Sequence, residues 1–362
     1  MNFSTAAQKE IDKLYKGRHH VELTIGVLRN GETEIVHLGP DRKETENTQL
    51  VYPVGSICKP FTASLLAKYL AEGKLDLHTP IDRYIPGLPE RYYPNLEKLA
   101  THTSGYTTQP YTLFTTLPFF LKMNREGGLF HTNPFRGYPD EASMLKIIRD
   151  TVLQDKPYKF VYSNIGMSIL GYIVGQVSGE GFWDSLTRYV CEDLGLENTF
   201  LGNVDMTGYD RKENPCRCWQ WEKSDVIAPA GALNSTVGDL LRFAEKNLDG
   251  TLPYLEVCHE IHGPCEKNAN SGLAWRLEKD APISWHTGSA GAFSAWLGLN
   301  RETKCAVSVA VNYGLVNAEQ IGFEILKTIC DTRTRSFKRG SKPAPALQCK
   351  SSGTRSTTWA AC

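Results

Sequence analysis

Two residues in the first third of the chain have the types and spacing needed for covalent catalysis by a serine. The segment Ser56-Ile-Cys-Lys59 places a hydroxyl and an amine three residues apart, at the predicted start of a helix over residues 56–75. Residues i and i+3 share a helix face, so the amine of Lys59 can reach the hydroxyl of Ser56. A lysine can act as a base when burial or nearby positive charge disfavours its ammonium form, and a helix N-terminus offers N–H donors to an oxyanion. This pair therefore predicts a serine that can be acylated.

Two further motifs follow along the chain: Tyr162-Ser-Asn164 just before an apolar helical segment, and His286-Thr287-Gly288 at the end of a predicted strand. Each of the three motifs alone is near chance, because each has a second copy elsewhere. These copies are Ser143-Met-Leu-Lys146, Tyr93-Pro-Asn95 and His37-Leu-Gly39. The order and predicted surroundings of the first set carry the argument. Patterns typical of other enzyme classes, such as G-x-S-x-G, H-E-x-x-H and the P-loop, do not occur in the sequence.

The predicted elements that position these motifs are strands at both ends of the chain around a helical middle. Alternation predicts a hairpin within residues 21–38, turned at Asn30-Gly31, and late strands at 283–286, 292–299 and 305–312. The helix over 56–75 has Ser56 as its possible N-cap, and helical spacing predicts further helices at Ala142–Leu153, Ile165–Val177, Phe182–Cys191 and Ala318–Cys330. Such an order favours an α/β fold whose sheet joins the N- and C-terminal segments, with an all-helical insertion.

We therefore predict an α/β domain made of residues 1–75 and 216–331, and a helical domain at 76–215. Residues 332–362 carry seven basic residues and no acidic one, and are rich in Pro and Ser. That composition predicts a disordered basic tail.

The composition excludes several function classes. The 362 residues are 41% hydrophobic and 22% charged, with 40 basic and 40 acidic residues, which is typical of a globular protein. Zero formal charge gives no general attraction to nucleic acid or to an anionic membrane. The N-terminus is polar and no run of 18 apolar residues occurs, so we expect neither a signal peptide nor a membrane span, and a cytoplasmic location.

The cysteines leave one question open. Cys258, His259, His262 and Cys265 form a cluster to which Cys216-x-Cys218 could contribute. Thiolate and imidazole are ligands that suit zinc, but the usual C-x(2–4)-C pairing is missing and the histidines could simply pack. We expect no metal and no cofactor, while metal binding by this cluster stays an open alternative.

Taken together, the three motifs resemble those of the serine β-lactamase-like superfamily, specifically its branch of class C β-lactamases, D-aminopeptidases and family VIII esterases (peptidase S12-like). Three other segments resemble segments of that branch: Leu99–Tyr106 ("LLTHTSG"), Pro229–Leu240 ("GGLxSTxxDLxRF") and Gly73–Ile81 ("GKLxLDDPV"). The resemblance covers about residues 20–330. It implies the β-lactamase/transpeptidase-like fold, with an antiparallel sheet flanked by helices.

The resemblance also implies a role for each motif residue. Ser56 would be the nucleophile and Lys59 its base partner, while Tyr162 would carry protons to the leaving group. Asn164 would hold Lys59 and the amide of the substrate. The N–H groups of Ser56 and Ser289 would form an oxyanion hole, in which one donor is typically worth roughly 2.7 to 4 kcal/mol.

His286 departs from the pattern of good β-lactam hydrolases, in which a lysine usually meets the substrate carboxylate. His286 would still be a catalytic-site residue that contacts the substrate, with Thr287 and Gly288 beside it. A neutral histidine weakens the anchor for a carboxylate, so β-lactams become less favoured substrates. His102 resembles a structural residue that ties a loop beneath the site.

The expected substrate is a small ester or amide with an apolar or aromatic group. Residues 106–138 hold eight aromatics and would border the cleft, although they could equally form a packing flap, and Trp219 with Trp221 could form another wall. The expected activity is hydrolysis through a Ser56 acyl-enzyme. The alternatives are acyl transfer from the same intermediate, β-lactam hydrolysis as a side activity and, least favoured, a non-enzymatic sensor.

Overall fold

The structure of the protein is a computed structural model that describes residues 1–106, 128–137, 139–266 and 268–330. Most of the aromatic segment 106–138 and all of the tail 332–362 lie outside the described residues. None of the described helices is long and apolar enough to cross a membrane.

Most of the strands belong to one antiparallel sheet. The strands are β1 Leu23–Arg29, β2 Glu32–Leu38, β3 Glu44–Thr45, β4 Tyr52–Gly55, β5 Phe200–Leu201, β6 Gly208–Tyr209, β7 Pro215–Cys216, β8 Leu233–Ser235, β9 Gly263–Pro264, β10 Ala269–Ser271, β11 Arg276–Glu278, β12 Ile283–Ala290, β13 Phe293–Asn300 and β14 Cys305–Val311. The large sheet has the order β3-β2-β1-β14-β13-β12-β11-β10-β9, so N-terminal strands lie beside C-terminal ones as predicted. A three-stranded sheet, β4-β8-β5, and the hairpin β6-β7 complete the described strands.

Helices cover the sheet and form most of the regular structure outside it. They are α1 Thr5–Tyr15, α2 Cys58–Ala71, α3 Leu96–Ala100, α4 Glu141–Asp150, α5 Asn164–Ser178, α6 Phe182–Arg188, α7 Ala228–Gly231, α8 Val237–Lys246 and α9 Ala318–Cys330. A π-helical turn, Tyr189–Asp193, follows α6, and 3-10 turns lie at Ile81–Arg83 and Pro253–His259. The α/β fold class with an antiparallel sheet is therefore confirmed, whereas the division into two domains stays a prediction.

The alternation of the central strands is explained by a hydrophobic core on each face of the sheet. In β14 every residue is buried; Val307 and Val309 pack in the core that contains α1 and α9, and Ala306 and Ala310 pack in the core that contains α2 and α8. At Gly26 of β1 a Cβ atom would lie within 2.7 Å of two side chains of α8, so only glycine permits this packing. Because both faces are covered, the sheet is a rigid base for residues at its edge.

Helix α2 is the central helix of the fold, and it begins later than predicted. Eleven of its 14 residues are buried, as expected for a helix that is surrounded by protein on all sides. It begins at Cys58, with Ile57 at the N-cap position and no side-chain cap, so the expectation that Ser56 caps this helix is wrong. The hydroxyl of Ser56 contacts Lys59 instead.

Candidate active site

Ser56 lies in a cleft of about 350 Å³ between the end of β12 and the start of α9. The cleft is lined by Ser56, Tyr162, Arg276, Thr287, Gly288, Ser289, Ser294, Ala295 and the segment Leu315–Glu319. The three sequence motifs therefore lie around one cavity, although they are more than 100 residues apart along the chain.

Lys59 reaches Ser56 from the first turn of α2. Its Nζ atom donates a hydrogen bond to Ser56 Oγ over 3.0 Å and another to the carbonyl oxygen of Ala230 over 2.6 Å, and its side chain is fully buried. The same face of α2 contacts the neighbouring carbonyls of α7, since Thr62 donates to Pro229 and Cys58 to Ala228. The short helix α7 thus fixes where the lysine amine lies. At 3.0 Å a proton can pass between Ser56 and Lys59 without an intervening water.

Tyr162 lies above the lysine amine. Its ring centroid is 4.8 Å from Lys59 Nζ and 5.5 Å from Arg276 Cζ, so two basic side chains face one ring. The ring is half-buried and lines the cleft. This position gives the phenol access both to the Ser56–Lys59 pair and to the cavity.

His102 fixes the segment that carries Tyr162, as expected for a structural residue that ties a loop. Its Nδ1 atom accepts a hydrogen bond from the Ser163 N–H over 3.2 Å, and its carbonyl oxygen accepts one from Val161. Burial, and then the positive charges of Lys59 and Arg276, holds the pKa of His102 well below its usual range. The imidazole is therefore neutral, and it contacts the Tyr162 ring at a centroid distance of 4.6 Å.

Two glycines allow β4 and β12 to approach closely at the serine. A Cβ atom on Gly288 would lie 1.9 Å from the carbonyl oxygen of Val54, and one on Gly55 would lie 2.5 to 2.9 Å from the backbone of Ser289. Gly55 also has a φ of 52°, which favours glycine. Without side chains at these positions, the backbones of Ser56 and Ser289 meet at one edge of the cleft.

His286 lies beneath the cleft rather than in it. Its side chain is 2% exposed, and its Nδ1 atom lies 2.6 Å from the carbonyl oxygen of Thr287. It borders a small enclosed space together with His102 and Phe160. Burial is the largest cause that lowers the pKa of His286 well below its usual range, followed by Arg276 and Lys59. The histidine is neutral, as expected.

Arg276 is the site residue that sequence reasoning missed. It lies in the three-residue strand β11, and its guanidinium is 5.5 Å from the Tyr162 ring and 5.1 Å from the Trp285 ring. Its NH2 atom donates to the exposed carboxylate of Glu266 over 3.0 Å, while its buried Nε has no hydrogen-bond partner in the described part of the chain. A strand of three residues is too short to show periodicity, and it carries no motif. The sequence therefore offered no signal that Arg276 belongs to the site.

The cleft also contains a carboxyl group. Glu319, in the first turn of α9, lines the same cleft. Burial is the main cause that raises its pKa, while the positive charge of Arg276 acts in the opposite direction. The cleft therefore offers one guanidinium and one carboxyl group to a substrate.

Comparison with known proteins identifies the family. The family model described as Beta-lactamase matches residues 7–321. The chain belongs to the Beta-lactamase family. It is 26% identical to a β-lactamase of Providencia stuartii over 67% of this chain and 60% of that protein. It is 25% identical to the putative penicillin-binding protein PbpX of Bacillus subtilis over 63% of this chain and 55% of that protein, so it spans less than two thirds of either relative.

Solved structures of other proteins share the fold. A penicillin-binding protein homologue from Pyrococcus abyssi, described as octameric, superposes with a TM-score of 0.73 at 22% identity, covering 89% of this chain and 76% of that chain. A β-lactamase/D-alanine carboxypeptidase from Pseudomonas syringae gives 0.68 at 20% identity, covering 89% and 98%. The resemblance inferred from the motifs is thus confirmed at the level of family and fold.

The second copies of the family motifs lie outside the cleft. Lys146 is exposed on α4 and forms an ion pair with Asp150, so it does not serve Ser143. Tyr93 is buried beneath the guanidinium of Arg91. His37 forms hydrogen bonds with Thr24 and Glu22. Structural context therefore separates the two sets, as their predicted surroundings indicated.

Asn164 is the first residue of α5, and Ser163 caps this helix through a hydrogen bond from Gly166 N–H. Among the described residues, no hydrogen bond joins the Asn164 side chain to Lys59. Its role toward Lys59 and the substrate stays a prediction.

The structure does not support zinc at the cysteine and histidine cluster near residue 260. His259 contacts Ser284 and Asn247 with its two ring nitrogens, and burial lowers its pKa to about 3. His262 contacts Glu97 and the Val257 carbonyl. Within the described ranges, these residues do not bring three ligand atoms close enough to hold one ion. They pack, and Cys216 lies elsewhere.

Proposed function

We propose that the protein is a serine acyl hydrolase that cleaves small esters or amides through an acyl-enzyme on Ser56. The observation that carries this proposal is the 3.0 Å contact between Lys59 Nζ and Ser56 Oγ at the bottom of a cleft that also contains Tyr162. A serine in a mere capping role would contact backbone N–H groups of its helix rather than a buried amine.

The reaction follows from the positions of these groups. Ser56 Oγ attacks the carbonyl carbon of the donor while Lys59, in its amine form, takes the hydroxyl proton. The negative charge on the carbonyl oxygen is met by the N–H groups of Ser56 and Ser289, which the close approach of β4 and β12 supports. Collapse of the tetrahedral intermediate breaks the bond to the leaving group, which takes a proton delivered through Tyr162. Water then attacks the acyl-enzyme, releases the acid and restores the Ser56 hydroxyl.

Arg276 supports a narrower substrate class: donors that carry a carboxylate. Although His286 is neutral, Arg276 supplies a positive charge to the cleft beside Tyr162. A substrate carboxylate would compete with the exposed Glu266 for the guanidinium of Arg276, which lines the cleft. The apolar or aromatic acyl group expected from residues 106–138 stays a prediction, because most of that segment lies outside the described residues.

β-Lactam hydrolysis is the second candidate. Penicillins carry the carboxylate that Arg276 would bind, and the relatives from Providencia stuartii and Pseudomonas fluorescens are named β-lactamases. Acyl transfer uses the same intermediate and differs only in the acceptor. The three outcomes therefore need to be compared in one experiment.

The test is acyl labelling followed by intact-protein mass spectrometry. The full chain, Ser56→Ala and Ser143→Ala are mixed with p-nitrophenyl esters, with and without a carboxylate, and with a penicillin, in the presence or absence of a primary amine. Ser143 belongs to the second Ser-x-x-Lys, so Ser143→Ala is a matched control.

We expect the wild type and Ser143→Ala to gain one acyl mass that maps to Ser56, and Ser56→Ala to gain none. Faster loss of the adduct with amine, together with an amide product, would indicate acyl transfer. A penicilloyl adduct that turns over as fast as the ester adducts would favour the second candidate. If no donor labels the wild type, the enzymatic proposal fails and a non-enzymatic sensor becomes the better explanation.

A further inference from the structure

A second group of reactive side chains lies away from the cleft. His131, Asp210 and Cys216 each offer one ligand atom, and these atoms all lie within 4.8 Å of one another. His131 Nε2 is 3.5 Å from Cys216 Sγ and 3.9 Å from Asp210 Oδ2. The three residues come from two separate parts of the chain, and no motif of the Ser56 site includes them.

We propose that His131, Asp210 and Cys216 bind one zinc ion that fastens the segment 128–137 to the hairpin β6-β7. The proposal is independent of the reaction at Ser56. Zinc suits this donor set because it accepts thiolate, imidazole and carboxylate together, whereas magnesium and calcium prefer sites made of oxygen alone. The thiolate and the carboxylate carry two negative charges, which balance the charge of Zn²⁺, and the thiol proton leaves to solvent on binding.

Two of the three ligand separations can be compared with those around a tetrahedral ion. With Zn–S of about 2.3 Å and Zn–N of about 2.0 Å, a tetrahedral angle separates sulfur and nitrogen by about 3.5 Å, which is the separation found here. The corresponding N···O separation is about 3.4 Å, so the carboxylate must move by about half an ångström from its 3.9 Å position. His131 is 29% exposed, so water can reach the fourth coordination position.

The ligands are already held by neighbouring groups. Asp210 Oδ1 accepts from the backbone N–H groups of Lys212 and Asn214, and Oδ2 accepts from the Asn214 amide, which orients the carboxylate toward His131. Cys216 lies in β7, paired with Gly208 of β6. Groups that hydrogen-bond to metal ligands in this way orient the ligands before the metal binds, so less free energy is needed to organise the site.

The segment that carries His131 contacts the edge of the Ser56 cleft. The Leu129 carbonyl accepts from Trp219 Nε1. Around Phe130, a Cβ atom on Gly291 would lie 3.2 Å from its carbonyl oxygen, and one on Gly314 would lie 2.6 Å from its ring. Gly291 follows β12, the strand that carries Ser289, and Gly314 precedes Leu315 of the cleft. A bound zinc ion would therefore stabilise the segment 128–137 where it packs against Gly291 and Gly314.

The experiment uses the full chain stripped with a chelator and then equilibrated with Zn²⁺ alone. Zinc per chain is measured by elemental mass spectrometry after gel filtration, and Co²⁺ replacement reports a thiolate ligand through its sulfur-to-metal charge-transfer absorption. The variants are Cys216→Ser and the isosteric Asp210→Asn. Cys218→Ser is the matched control, because Cys218 is also buried and only two residues away but donates to the Met206 carbonyl.

We expect one zinc per chain in the wild type and in Cys218→Ser, with a melting temperature that rises with zinc concentration. Cys216→Ser should lose the thiolate absorption, and both ligand variants should bind zinc at least about tenfold more weakly, since even the partners of ligands contribute that much. Asp210→Asn keeps the test valid if Cys216→Ser fails to fold. A wild type that retains no zinc, or ligand variants that bind it as tightly as Cys218→Ser, would overturn the proposal.

Discussion

Lys59 combines an ionisable amine with complete burial, which proteins permit only when the group has partners. Its partners are the Ser56 hydroxyl, the Ala230 carbonyl and the face of the Tyr162 ring. Two of the three belong to the proposed reaction and the third fixes the amine in place. The position of the lysine is thus better explained by catalysis than by stability.

Replacing Lys59 by Met keeps the length of the side chain but removes the amine. We expect Ser56 acylation to slow by about 10²- to 10⁴-fold, the usual contribution of a positioned base. The Ala230 carbonyl loses its donor, so the free energy of unfolding should fall by about 1–3 kcal/mol. Acylation rates and urea unfolding measure the two effects separately.

Lys68→Met is the matched control for this change. Lys68 lies in the same helix but forms an ion pair with Asp193. This variant should acylate at the wild-type rate. Normal acylation of Lys59→Met would mean that another group takes the Ser56 proton.

The guanidinium of Arg276 in the cleft leads to a second prediction for a single residue. Arg276→Gln should lower kcat/KM by about 10- to 100-fold for an ester with a carboxylate, since a hydrogen bond to a charged group is worth about 1.5–3 kcal/mol. An uncharged ester of the same shape should change little. Steady-state kinetics with the two matched donors measures the difference.

Glu319→Gln should have the opposite effect on kcat/KM for the donor that carries a carboxylate. It removes the negative charge that faces Arg276 in the cleft, so the carboxylate donor should bind more tightly. If Arg276→Gln slows both donors equally, the arginine supports Tyr162 or the fold rather than the substrate.

At the scale of elements, the site depends on how closely β4 approaches β12. Gly288→Ala would place a methyl group 1.9 Å from the Val54 carbonyl oxygen, so one of the two strands must move. We expect the variant to lose about 1–3 kcal/mol of unfolding free energy, as overpacked sites do, together with most Ser56 acylation. Urea unfolding and acyl labelling give the two readouts.

Gly263→Ala is the comparison for Gly288→Ala. Gly263 also lies in the large sheet, but its nearest neighbours to a Cβ atom are 3.9 and 4.0 Å away. This change should affect neither readout by much. Full activity in Gly288→Ala would show that the oxyanion site does not need this close approach.

The sequence predicted long elements well and short ones poorly, for a physical reason. Helix α9 has the predicted bounds, and β13 and β14 lie within one residue of the predicted strands, because many residues contribute to each pattern. Strand β12 begins at the predicted Ile283 but continues to Ala290, four residues beyond the predicted end. Strand β11 has three residues, and its place depends on pairing with β12, which no local pattern encodes. Arg276 was missed together with that strand.

The same limit applies to the cysteine and histidine cluster. His259 is explained by Ser284 and Asn247, partners 25 and 12 residues away along the chain. Spacing alone could not separate this packing from metal binding. The ligand group at Cys216 likewise forms through His131, 85 residues distant.

Across the whole molecule, three buried histidines make folding sensitive to mild acid. Burial holds the pKa of His102, His259 and His286 below the usual range, so the folded chain keeps them neutral. In the unfolded chain they become protonated near pH 6.5. The unfolded state thus binds more protons below that pH, and the stability that these histidines contribute above it is lost as the pH falls.

Between pH 7.5 and 5.5 each such histidine should remove about 1.4 kcal/mol of unfolding free energy, or about 4 kcal/mol for the three. Glu319, whose pKa burial raises, opposes the trend and makes this an upper value. The expected fall is a large share of the roughly 5–15 kcal/mol that stabilises a typical protein. Urea unfolding at pH 7.5, 6.5 and 5.5 measures it.

His259→Asn, which lies outside the cleft, should reduce the dependence by about one third, because one of three protonation steps is removed. A free energy of unfolding that stays constant over this range would contradict the burial of neutral histidines beneath the site.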